Sequence, residues 1–88
     1  MPTTAAANAE NAILRNGADA EKFFRLGMMY STGNAVPADM IAAHKWFNIA
    51  AMRGNGEAAR LRREIAGEMS EAEIAVAQRA ARVWLTRH

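Results

Sequence analysis

The stretch from Ala20 to Asn55 constrains this 88-residue chain more than any other part of it. Phe23, Leu26, Gly27 and Tyr30 recur at three- and four-residue steps, which places them on one face of a helix. Ala43, Trp46, Phe47, Ala50 and Ala51 repeat the pattern further along. Between them, STGNAVPAD carries Gly33, Asn34 and Pro37, residues that stop helices and set turns. Small residues alternate with large ones. Gly27, Ala43 and Ala50 let two backbones approach, while Tyr30, Trp46 and Phe47 fill the space that remains. The spacing predicts an αα-hairpin.

A chain of 88 residues makes at most one domain. It buries a modest share of its surface, so a stability of a few kcal/mol is expected. Apolar residues account for 51% of the chain, but many are alanine, which contributes little burial per residue. There is no cysteine, so no disulfide can help, and this fits a reducing compartment. The first 17 residues lack the basic segment and the continuous apolar run of a signal peptide. No apolar run approaches the ~20 residues needed to cross a bilayer, so no membrane insertion is expected. Together these features lead to the expectation of a soluble, cytoplasmic protein. A net charge of +2 does not by itself imply a nucleic-acid partner.

Leu26-Gly27, Tyr30, Gly33, Val36, Asp39, Ala43, Trp46-Phe47, Ala50-Ala51 and Gly54 follow, without a gap, the order and spacing of a known pattern. Over about a third of its length the chain resembles the Sel-one-like repeat family, a branch of the tetratricopeptide-like helical repeats. The resemblance implies a short α-solenoid built of helix-turn-helix hairpins. Two positions depart from the family. Ala35 stands where a second loop glycine is usual, which argues against a left-handed turn at that point. Lys22 occupies a position where the family prefers alanine.

The flanks complete an all-α reading with about five helices. Residues 5–17 form an N-terminal cap helix opened by Thr3 or Thr4 and stopped by Gly17. Its AILRNG is weakly similar to the later IAAMRG, as a degenerate half-repeat would be. Residues 20–55 hold the complete repeat, with Asp19 capping its first helix and Asp39 its second. A partial repeat follows over 57–69, with Ala58, Leu61, Ile65 and Met69 as its apolar face. Ser70-Glu71-Ala72-Glu73 is a capping box that opens a C-terminal cap helix to residue 87. Ile74, Ala77, Ala81, Trp84 and Leu85 make its stripe. Acidic residues at its start and arginines at its end suit the helix dipole.

Catalytic, cofactor-binding and metal-binding residues are all expected to be absent. His44 and His88 stand alone, and no metal-ligand spacing occurs. The single glycines of the turns do not form a phosphate-cradling loop. Two groups remain as candidates for recognition. Phe24, Met28, Met29 and Met52 flank the hairpin's core stripe, and methionine adapts to varied partners. The resemblance implies that first helices of repeats line a concave recognition surface. These residues either face that surface or pack against the N-terminal helix and complete the core, while His44, a further candidate, is expected at the boundary or on the open face of the second helix. Arg53, Arg60, Arg62 and Arg63 form the densest basic feature. They suit phosphates or an acidic segment, or else make a solvated face interleaved with Glu57, Glu64 and Glu68. No aromatic residue lies among them to stack on bases.

The resemblance implies a protein–protein interaction module: an adaptor, a scaffold or a small subunit presenting a groove to a partner peptide or helix. Families of this kind serve bacterial signalling and the assembly of membrane-associated complexes. One repeat is a small platform, so self-association or incorporation in a larger assembly is expected. The alternative is a nucleic-acid-binding regulator that uses the arginine-rich third helix.

Overall fold

The computed structural model describes residues 4–15 and 19–88 of the chain. They form five α-helices: α1 (Thr4–Leu14), α2 (Asp19–Thr32), α3 (Met40–Met52), α4 (Gly56–Ala66) and α5 (Glu71–Arg87). The chain is all-α, as its periodicity predicts, and no strand occurs among the described residues. Of the residues proposed to cap and stop α1, Thr3 and Gly17 lie outside the described residues, and Thr4 is the first residue of the helix.

α2 and α3 pair as the expected hairpin. Leu26, Ala43 and Ala50 have no exposed surface, and Gly27 is also buried against α3. A Cβ added to Gly27 would fall 2.8 Å from Cγ of Phe47 and nearer still to two other ring carbons. The glycine is therefore what allows the Phe47 ring to lie against the α2 backbone.

The loop between these helices is closed by backbone hydrogen bonds. The Asn34 amide donates to the carbonyl of Met29 at 3.0 Å, and the Asp39 amide to the carbonyl of Tyr30 at 2.9 Å. Gly33 has φ 73°, so α2 ends in a left-handed residue with a six-to-one hydrogen bond behind it. The expectation for Ala35 is overturned, because it also adopts a left-handed conformation, with φ 71°. Val36 is buried beside it and Asp39 must start α3, and these two anchors impose the turn despite the Cβ. The Asp39 side chain accepts from the Ala42 amide at 3.0 Å, which makes it the cap of α3.

α3 is the centre of the fold. It packs against α2, α4 and α5, while α1 lies on α2. Gly54, at φ 102°, ends α3, and Asn55 then caps α4 by accepting from the Ala58 amide at 2.8 Å. Asn55 thus does more than terminate a helix, since the same residue donates its own amide to Ala50 at the end of α3. The Ser70–Glu73 capping box forms in both directions. Asp19 is the first described residue of α2, and its carboxylate pairs with Lys22 and Arg53.

Trp84 of α5 closes the core from the other side. Its ring meets Phe23 edge-on with centroids 5.0 Å apart, and Trp46 at 5.5 Å. Phe23 and Trp46 are themselves stacked 6.0 Å apart. The three rings bind α2, α3 and α5 into one unit through apolar burial and edge-to-face contact. α5 rests mainly on α3 instead of forming a second hairpin with α4. α2–α3 forms the expected helix-turn-helix hairpin, and α4 packs back on α3 after a short turn.

Candidate functional site

A recess of about 680 Å3 opens where α1, the 33–39 loop, α3 and α5 meet. The loop geometry places Pro37 and Ala38 on its rim, and helical spacing brings Ile41, Ala42 and Lys45 along one side of α3. Glu10 comes from α1, Tyr30 from the end of α2 and Ala80 from α5.

The polar groups here already have internal roles. The Tyr30 hydroxyl donates to Oε2 of Glu10, joining α1 to α2. Burial raises the Tyr30 pKa, and the carboxylate of Glu10 raises it further, so the phenol stays protonated well beyond its ordinary range. Asp39 is occupied in capping α3. Lys45 places its ammonium 4.3 Å from the centroid of the Trp46 ring. Burial lowers the Lys45 pKa, and the nearby negative charge of Glu10 offsets part of that effect. No cluster of three or more metal-ligating side chains occurs among the described residues.

The recognition candidates do not converge. Met28 and Met52 are exposed, at 37% and 65%. Phe24 is half-buried, with its ring tilted against Phe47 at 5.8 Å. Met29 takes the core alternative and does not face a partner, at 7% exposure, and His44 departs from the boundary or open face expected of it, because it lies in the core at 3% exposure. Met29 belongs to the buried face of α2. His44 is covered on a helix that packs against α2, α4 and α5. Burial depresses its pKa, and the positive charge of Arg62 adds to the effect. Nδ1 of His44 and Nε1 of Trp46 are buried without hydrogen-bond partners.

The arginines also have separate surroundings. Arg60 is held between Glu57 and Glu64, the latter at 2.5 Å. Arg62 is half-buried and donates to Oδ1 of Asn48 at 2.6 Å. Arg53 lies over Phe23, 5.8 Å from the ring centroid, and 3.7 Å from the Asp19 carboxylate. Arg63 is exposed. Interleaving with glutamates is what the i,i+4 spacing predicts.

The recess itself was not legible as a site. Lys45 and Glu10 carry no motif, and their approach depends on how α1 lies on α2. No helix among the described residues is long and apolar enough to cross a membrane. No protein family, curated protein or solved structure matches the chain at a significant level. The likeness to the Sel-one-like repeat therefore rests on the residues between Leu26 and Gly54.

Proposed function

We propose that the chain is a protein–protein interaction module, an adaptor or small subunit that offers its recess to a peptide or helix of a partner. The observation that carries this reading is the state of the polar groups around the 680 Å3 recess. Tyr30, Asp39 and Lys45 are committed to partners within the chain, so they are poor candidates for general acid, base or nucleophile. Apolar surface from Pro37, Ala38, Ile41 and Ala42 is left available, framed by charge. A volume in the usual range for ligand pockets, with an apolar floor and a polar rim, suits the side chains of a docked segment. The Sel-one-like pattern supports the same class of function. The nucleic-acid reading gains nothing from an Arg60 neutralised by two glutamates.

The test is capture by the tagged chain from lysate of its source cells, with and without nuclease, followed by mass spectrometry. A defined protein is expected equally in both arms and should be lost with Ile41→Glu, while the variant's circular dichroism spectrum stays that of the parent. Recovery that disappears with nuclease would bring Arg53, Arg60, Arg62 and Arg63 forward instead. Failure to capture any protein specifically would overturn the proposal.

A further inference from the structure

Lys45 and Ala80 also wall a second recess, of about 450 Å3, that runs along α5. Its floor is a strip of α5 that the core does not use. Ala77 and Ala81 are buried and Ile74 is half-buried, whereas Val76 and Val83 each keep 45% of their surface exposed. They are two turns apart with Ala80 between them, so the three line one side of the helix. Trp84 closes the far end, with the His88 ring stacked on it at 4.3 Å.

The charges around this strip have one sign. Lys45 reaches it from α3, and Arg79 and Arg87 from α5, and no carboxylate is among the residues that line it. Some cations outside this groove have counter-charges within the chain: Arg60 has Glu57 and Glu64, and Lys22 and Arg53 share Asp19. A groove with an apolar floor and a rim of cations, of which Lys45 is partly offset by Glu10, is complementary to a segment that is apolar on one face and acidic on its edges.

We propose that this groove docks an acidic amphipathic helix from a partner protein, its apolar side chains on Val76, Ala80 and Val83 and its carboxylates meeting Lys45, Arg79 and Arg87. The proposal rests on the reading of the chain as an interaction module and names the kind of partner it takes. From Val76 to Arg87 the strip is about 16 Å long, so a helix of about 12 residues covers it. The half-buried amine of Lys45 gains from such a partner, because burial alone disfavours its charged form. The apolar strip offers only Val76, Ala80 and Val83, which suits one helix face better than a bilayer surface, which calls for a broad apolar face.

The experiment is a selection of displayed random peptides of about 12 residues on the intact chain. Enriched sequences are expected to combine Asp or Glu with large apolar residues at three- and four-residue steps. A synthesised representative should shift the NMR signals of Val76, Val83 and the Trp84 indole, and bind about tenfold or more weakly to the Arg79→Glu/Arg87→Glu variant. Val83→Asp, which leaves both arginines in place, should weaken it as well. Any of these results would overturn the proposal: no acidic enrichment, unchanged affinity for the arginine variant, shifts confined to another surface, or self-association through the same strip. Tighter binding to phosphatidylserine vesicles or to duplex DNA than to any selected peptide would also overturn it. An arginine variant that still captures the cellular partner removes this groove alone, while a chain that captures no protein in either form removes the broader reading too.

Discussion

Gly27 faces the ring of Phe47 so closely that a methyl group at residue 27 would overlap Cγ, Cδ1 and Cε1 of that ring. α2 and α3 thus approach at this point only because α2 lacks a side chain there. Gly27→Ala gains up to ~1 kcal/mol of helix propensity but forces a fully buried aromatic to move, which costs about 1–3 kcal/mol. Net destabilisation is expected in urea denaturation. Phe47→Leu in the same chain should recover part of the loss, giving a measurable coupling in a double-mutant cycle.

Ala35 holds φ 71° in the loop that leads into α3. A left-handed conformation costs an L-residue with a Cβ about 1–2 kcal/mol, and glycine avoids most of that. Part of the benefit is offset by the larger entropy of glycine in the unfolded chain. Ala35→Gly should therefore raise stability by about 0.5–1 kcal/mol, and Gly33→Ala, at φ 73°, should lower it. A lower melting temperature for Ala35→Gly would contradict the loop geometry.

Tyr30 is the chain's one tyrosine, so its ionisation can be followed directly by ultraviolet absorbance. Burial, then the hydrogen bond to Glu10, raises its folded pKa above the unfolded value of about 10. The stabilisation is fully present below that unfolded value and is lost as pH rises toward the folded one. Phenolate should thus appear together with unfolding, above about pH 10. Tyr30→Phe should remove this alkaline loss. It should also cost about 0.5–1.5 kcal/mol at neutral pH and speed hydrogen exchange in α1, which the Tyr30–Glu10 bond tethers.

His44 gives the opposite limb of the pH profile. Its folded pKa is depressed by burial and then by Arg62. The unfolded chain takes up a proton near pH 6.5 that the folded chain resists, so stability is complete above that value and is lost as pH falls through the folded one. The urea midpoint should be lower at about pH 5 than at about pH 7.5, and His44→Gln should flatten that difference. An unchanged slope in the variant would place the acid sensitivity on another group.

The local structure was written in the sequence. Periodic apolar residues marked α2, α3, α4 and α5, and Gly33, Asp39, Gly54 and Ser70 marked where they stop and start. These signals are legible because helix periodicity and capping depend on neighbours a few residues away. Whether a helix face is covered is decided by elements that lie far along the chain. The residue pattern placed His44 at an open edge, but α3 is surrounded by α2, α4 and α5, and the histidine is buried. The same arrangement ties Tyr30 to Glu10 across 20 positions and leaves Val76 and Val83 uncovered although they are as apolar as the core residues beside them. Spacing determined which side chains share a face. Only the packing of the five helices decided which faces became core and which became recess, because burial depends on what arrives from elsewhere to cover them.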